Sequence, residues 1–170
     1  MPVEFHAARS AVNKRALVKK IIAQLAGGRE LYTKAARAAH AEATHEQSKA
    51  ENKYDTRGLE ASYLARGQSR QVAEADQSIQ QFEALALRDF GPQDAIELGA
   101  FVELEGRDGR MCYFIGPRAG GTEVVHQKQE VLVITPPSPL GQQLMGRKQG
   151  DRLRLELAGG RSDYRVVTVA

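Results

Sequence analysis

A single cysteine in 170 residues rules out an internal disulfide. Cys112 sits inside the apolar run M-C-Y-F-I, which reads as a small buried hydrophobe and not as a reactive thiol, so redox chemistry is not expected. No hydrophobic run approaches the roughly 18–20 residues that cross a bilayer, and the start M-P-V-E-F-H lacks the charged-then-apolar order of a signal peptide. The chain is therefore expected to fold in water, in the cytoplasm. Catalytic signatures are missing too. There is no G-x-x-x-x-G-K-[ST], no G-x-G-x-x-G after a strand and no G-x-S-x-G. His6, His40, His45 and His126 have no cysteine or acid at ligand spacing, so the chain is expected to bind no metal by itself. These absences argue against an autonomous enzyme.

What is present divides into two halves. A composition of 42% hydrophobic and 26% charged residues suits one ordinary domain, or a smaller domain with an extension. The net charge of +3 is mild but uneven: Arg9, Lys14, Arg15, Lys19, Lys20, Arg29, Lys34 and Arg37 face a single acid, Glu30, over the same stretch. Such a stripe raises affinity for polyanions or acidic partners; a plain solvated helix face remains the alternative. Too few aromatics are interleaved with it to suggest base stacking.

Val18, Ile21, Leu25, Gly28, Tyr32, Ala35 and Ala39 alternate steps of three and four, the seam of a helix packed on a partner. Ala61, Ala65, Gln68, Val72, Ala75, Ile79, Phe82 and Ala86 repeat the pattern. Two matched seams joined by a short connector predict an antiparallel coiled-coil hairpin over residues 1–90, with its tip near 51–60. The bulky seam residues lie away from the connector and the alanines near it, so the hairpin thins toward its tip. Gly27-Gly28 costs the first helix about 1 kcal/mol per glycine relative to alanine, and a bend or break is expected there.

Pro92 in F-G-P-Q-D disfavours helical geometry at the preceding glycine, and a second domain, 91–170, is read from this point. F-V-E-L-E alternates with period two, G-R-D-G is a turn, and M-C-Y-F-I and E-V-L-V-I are further strands. Ser138 is placed as an N-cap, Pro139 at the first helical position and Gly146 as the stop of a short helix. R-L-R-L-E-L and Y-R-V-V-T-V form a last hairpin turning at Gly159-Gly160. The fold class is α+β: a helical hairpin, then a small antiparallel sheet with one short helix.

The connector E-N-K-Y-D-T-R-G-L-E-A-S-Y holds Asp55 and Glu60 beside Lys53, Tyr54, Arg57 and Tyr63. Two carboxylates at the end of a rigid probe can hold a divalent ion and orient a water, with the other ligands coming from a second molecule. The alternative is a turn in which Asp55 caps the second helix.

The order of parts, together with S-P-L-G-Q-Q-L-M-G-R-K-Q-G-D over residues 138–151, resembles the Gre transcript-cleavage factors of bacterial RNA polymerase. The family pattern S-P-L/I-x-x-A-L-x-G-K-x-x-G-D, followed by a G-G turn and a final Y-x-V/I strand, is matched at Ser138, Pro139, Leu140, Leu144, Gly146, Lys148, Gly150, Asp151, Gly159, Gly160 and Tyr164. I-G-P over residues 115–117 is similar to the family's V-G-P/E. The resemblance implies an FKBP-like C-terminal domain that docks at the polymerase secondary channel through Ser138, Pro139, Leu140, Gly146 and Lys148. It also implies a hairpin that enters the channel as a monomer, with Arg15, Lys19, Lys20, Arg29, Lys34 and Arg37 facing the channel or the backtracked RNA 3′ end. Asp55 and Glu60 would then share a magnesium ion with the polymerase core, whose active site cleaves the RNA, while Lys53, Tyr54 and Arg57 make tip contacts. Family tips read G-D-L-S-E-N-A-E-Y. Here Asp55 matches the Asp and Tyr63 the Tyr, but the interval is one residue longer, Arg57 and Gly58 have no counterpart, and Ser62 replaces the second acid. Besides a cleavage factor, two readings stay open. One is a non-cleaving channel regulator using Lys53 and Arg57 against the channel or nucleotide phosphates; the other is a coiled-coil binding module without a polymerase role.

Overall fold

The structure, a computed structural model, describes residues 11–45, 56–157 and 160–170. Its first element, α1, spans Lys14–Thr44, and α2 spans Arg57–Glu83. At 1.5 Å per residue these are arms of about 46 and 40 Å. Asn13 opens α1 by accepting a hydrogen bond from the Ala16 amide at 3.0 Å. The expected seams meet. Val18, Ile21, Ala39, Ala61, Ile79 and Phe82 are buried, and Leu25, Gly28, Ala35, Ala65, Gln68, Val72 and Ala75 are half-buried. Tyr32 is the exception within the helices, 38% exposed where a seam residue was expected.

Two expectations for the helices are corrected. No break occurs at Gly27-Gly28: α1 continues through both, because burial along the seam outweighs a propensity cost of about 2 kcal/mol. The second helix ends at Glu83, and Ala86 is exposed outside it. The chain leaves the helix early to lay Phe90 and Ile96 against the sheet, where Ile96 exchanges backbone hydrogen bonds with Arg147 and Gly146 at 2.7 and 3.0 Å.

Six strands follow: β1 (Phe101–Gly106), β2 (Gly109–Ile115), β3 (Glu123–His126), β4 (Gln129–Ile134), β5 (Arg152–Leu157) and β6 (Gly160–Val169), with the short helix α3 (Pro139–Leu144) between β4 and β5. They form one sheet in the order β3-β4-β2-β1-β6-β5. The sheet was expected to be antiparallel throughout, but β2 and β4 pair in parallel, Cys112 to Val131 through Ile115 to Ile134. After β2 the chain crosses to the sheet edge as β3 and folds back as β4 between β3 and β2, which makes β4 run with β2. β3 itself escapes the sequence reading. Its hairpin turns at Gln127 and Lys128, both at positive φ (49° and 64°), where such a turn ordinarily carries Asn or Gly.

The sheet buries both faces. One packs Val102, Leu104, Tyr113, Ile115, Leu153, Leu155 and Val166 with Leu144 of α3. The other packs Phe101, Cys112, Phe114, Val124, Val131 and Val133 against Leu17, Val18 and Ile21 of α1 and Phe82 of α2, so the hairpin base and the sheet share one core. Where the hairpin stops covering this face, the side chains become charged: Arg110 bridges Glu103 and Glu105 at 3.2 and 3.1 Å, and Arg165 reaches Glu105 at 2.8 Å. Lys14 is drawn into the junction. It is 7% exposed, its Nζ lies 4.5 Å from the Phe90 ring centre and donates to the carbonyl of Arg88, and burial lowers its pKa.

His126 is the last residue of the edge strand β3. It is 5% exposed, and neither ring nitrogen has a hydrogen-bond partner among the described residues. Burial first, and the charge of Lys20 second, hold its pKa below 6.5.

Two outcomes test this junction. Phe82→Ala should lower the unfolding free energy in urea by about 3–5 kcal/mol, whereas a change at the exposed Tyr63 should alter it by less than about 0.5 kcal/mol. Stability should also fall as pH drops below 6.5, because the unfolded chain takes up a proton that the folded chain refuses at His126. His126→Phe should flatten that part of the profile; an unchanged slope would place the pH dependence elsewhere.

Candidate functional site

The outer end of the hairpin is framed by the last turn of α1 and the first of α2. Lys53, Tyr54 and Asp55 lie outside the described residues. Thr56 stands at the N-cap of α2, so the capping position falls one residue after Asp55. The Thr56 side chain makes no cap hydrogen bond to the backbone; its Oγ1 donates to Glu60 Oε1 at 2.8 Å. Glu60 lies in the first helical turn and its amide donates to the Thr56 carbonyl at 2.9 Å, placing a carboxylate at the positive end of the helix. Arg57 is the first helical residue, a cation at the same end. Ala61 is buried, whereas Leu59, Tyr63 and Leu64 stay exposed, so the apolar side chains of the first two turns point mostly to solvent. Among the described residues no group of three or more His, Cys, Asp or Glu could hold a metal ion.

The basic stripe is split by the fold. Lys14 is buried at the base, Lys20 donates to the Val125 carbonyl at 2.8 Å, Arg29 pairs with Asp76 at 3.0 Å, and Lys34 pairs with Glu30 at 3.2 Å. Arg15, Lys19 and Arg37 stand exposed, and Arg9 lies outside the described residues. The stripe thus works partly as structure: Lys20 fastens α1 to β3, and Arg29 fastens α1 to α2.

The segment expected to dock has mainly structural contacts. Ser138 Oγ donates to the Thr135 carbonyl at 2.6 Å and accepts from the Gly141 amide at 3.0 Å, capping α3. Leu140 packs on the core and Leu144 is fully buried. A β-carbon at Gly141 would lie 2.0 Å from the Thr135 carbonyl oxygen, so only glycine fits the second residue after Pro139. Gly146 ends the element at φ 80°, and the Lys148 amide donates to Asp151 Oδ2 at 2.9 Å. Pro139 and the Lys148 side chain remain exposed. Beside them, Gln142, Met145, Arg147, Asp151 and Arg154 line an open groove of about 470 Å³. The sequence reading did not single out Arg147 or Arg154. Arg147 lies between two motif positions and Arg154 alternates with buried leucines on β5, a period-two signal that was available.

No described helix is long and apolar enough to cross a membrane. Residues 91–170 match the family described as transcription elongation factor, GreA/GreB, C-term. Among solved structures, the chain is similar to the GreA factor homolog 1 (Gfh1) protein of Thermus thermophilus, with 24% identity, 90% of this chain and 94% of that chain covered, and a TM-score of 0.38. Gfh1 of Thermus aquaticus gives 24%, 89%, 92% and 0.38. A GreA/GreB factor from Nitrosomonas europaea gives 19%, 56%, 78% and 0.35. No curated protein matches the chain.

The geometry around α3 carries its own test. Gly141→Ala should destabilise the protein by about 3 kcal/mol in thermal melts, since the clash is with backbone and no side chain can yield. Lys148→Ala, at an exposed side chain, should leave stability within about 0.5 kcal/mol. The reverse order would mean that the motif's glycine is not held as described.

Proposed function

The chain belongs to the GreA/GreB family of transcription elongation factors through residues 91–170, and from that premise we propose that it binds bacterial RNA polymerase, passes its hairpin through the secondary channel and stimulates cleavage of backtracked transcripts. The observation that carries this reading is the rooted hairpin. Two helices of 31 and 27 residues have their base buried in the sheet domain's own core, and their far ends stand about 40 Å away. A probe of that length, fixed at its base, delivers its tip to a defined place on whatever the sheet domain docks against. The docking surface in this reading is the exposed edge around Pro139 and Lys148, with Ser138, Leu140 and Gly146 holding its shape.

The cleaving active site is the polymerase's; this chain supplies ligands and position. Asp55 and Glu60 are assigned to a magnesium ion shared with the polymerase, which when bound activates a water at neutral pH and stabilises charge on the phosphate. Glu60 fits such an ion. Thr56 occupies its Oε1, which fixes the side chain, while Oε2 has no partner among the described residues and is available as a hard oxygen ligand. Arg15, Lys19 and Arg37 remain exposed cations for the RNA or the channel wall.

One observation favours a second reading, a non-cleaving occupant of the same channel. The Thr56 hydroxyl competes for Oε1, and Arg57 at the following position reduces the negative charge that draws a divalent ion.

A transcript-cleavage assay on stalled, backtracked complexes separates the two. The wild type should shorten the RNA. Asp55→Ala and Glu60→Gln should each slow cleavage at least about 10- to 100-fold, the scale of losing even an outer partner of a metal, while still co-purifying with core polymerase. Intact RNA with the wild type bound would transfer the assignment to the non-cleaving regulator. Failure to bind polymerase would remove both.

A further inference from the structure

The outward side of α2 carries a feature that neither the tip acids nor the sheet domain uses. Between Glu60 and Glu74 the helix has no acidic residue, yet it holds Arg66 and Arg70, exposed and without an ion pair among the described residues. Ser62, Ala65, Ser69 and, from the facing helix, His40 join them in one open groove of about 540 Å³. The Ser69 hydroxyl also has no partner among the described residues. Two guanidinium groups four residues apart on a helix begin about 5–6 Å from each other at their β-carbons. Each presents a planar fork of donors that matches phosphate oxygens bidentately.

Tyr63 stands outside the lining of that groove, three residues from Arg66 toward the tip. It is 62% exposed, and with Arg66 and Arg70 it follows steps of three and four, so the three share one side of α2, turned away from the seam of buried Ala61 and half-buried Ala65 and Val72. From Tyr63 to Arg70 is seven residues, about 10.5 Å along the axis. An aromatic face at one end and paired guanidiniums at the other suit a base stacked on the ring with its phosphates on the forks. The basic set is short and closed by Glu60 and Glu74 at its two ends. A polynucleotide backbone running on past either end would meet a carboxylate, whereas a compact ligand with clustered phosphates would not.

We propose that the exposed side of α2 carrying Tyr63, Arg66 and Arg70, with the groove that Ser69 and His40 line beside the two arginines, binds a free nucleoside polyphosphate, its base on Tyr63 and its phosphates on Arg66 and Arg70. The site shares no residue with Asp55 and Glu60, and it does not depend on the polymerase reading.

The test uses the full chain alone, with an ATP analogue carrying a fluorophore on the ribose, followed by anisotropy. Saturable binding is expected, weakened about tenfold or more by the double change Arg66→Gln and Arg70→Gln. Tyr63→Ala should weaken the labelled nucleotide about 5- to 10-fold but leave the affinity for inorganic tripolyphosphate, measured by competition, unchanged. All three positions are exposed, so thermal melts should coincide with the wild type and exclude misfolding. Absence of saturable binding overturns the proposal, as does binding that the double variant retains. So does displacement of the nucleotide by a single-stranded RNA without terminal phosphates at lower concentration than ATP, which would assign the groove to a strand. Polymerase is absent throughout, so a negative result here leaves the cleavage assay untouched.

Discussion

Phe82 reaches from the last turn of α2 into the sheet, its ring centre 6.4 Å from that of Phe114, and this contact depends on an absence: Gly116 has no β-carbon. A β-carbon there would sit 2.8 Å from Phe82 Cζ and 2.8 Å from Val133 Cγ1. The I-G-P motif after β2 is therefore the socket into which the helical hairpin is set. Leu17, Val18 and Ile21 complete the joint from α1, and Lys14 closes its edge with its ammonium over Phe90 and its hydrogen bonds on the carbonyls of Arg88 and Gly99. Without that joint the sheet would expose Phe101, Cys112 and Phe114 to water, and the hairpin would have a narrow seam and little else to hold it.

The same joint explains why the arm can thin as it extends. Close to the sheet the seam buries leucine, isoleucine, valine and phenylalanine; toward the tip it is Ala35, Ala39, Ala61 and Ala65. Alanine has the best helix propensity and lets two helices approach closely, so stiffness along the arm comes from propensity and backbone hydrogen bonds. Fixing its direction falls to the base. The Arg29–Asp76 pair across the seam, nearly half-exposed on both sides, adds little energy but favours one register.

How much of this could be read in the sequence follows from where each element finds its partners. The helices are legible because their burial is periodic, and α3 because Ser138, Pro139 and Gly146 each do a local job that their chemistry dictates. Leu17 and Phe82 are harder. Phe82 counts as a seam residue by spacing and Leu17 does not, yet both face the sheet, a partner distant in sequence. β3 is missed because its four residues E-V-V-H turn through Gln127 and Lys128, residues whose positive φ is imposed by the hairpin and not by their own preference. The parallel β2–β4 pair has no sequence mark either, since it results from the order in which the chain visits the sheet edge. At the tip, residue types pointed to the acids, but only the structure shows that Thr56 binds Glu60 and leaves the N-cap to a threonine that does not cap.

These placements separate two kinds of charge on one probe. Glu60 is held at the start of α2 by its neighbour four residues back, while Arg66 and Arg70 are exposed and have no acidic partner among the described residues. Were the hairpin merely a solvated spacer, opposite charges at helical spacing would be the economical arrangement, as in the Glu30–Lys34 pair on α1. Arg66 and Arg70 instead have no ion pair among the described residues and lie on the side of α2 that carries exposed Tyr63. Charges left without internal partners cost solubility nothing, but each retains its full capacity for an external anion. In the proposed assignments the acid of the first turn and the cations of the third and fourth turns therefore answer to different partners, and substitutions at one set should leave the other intact.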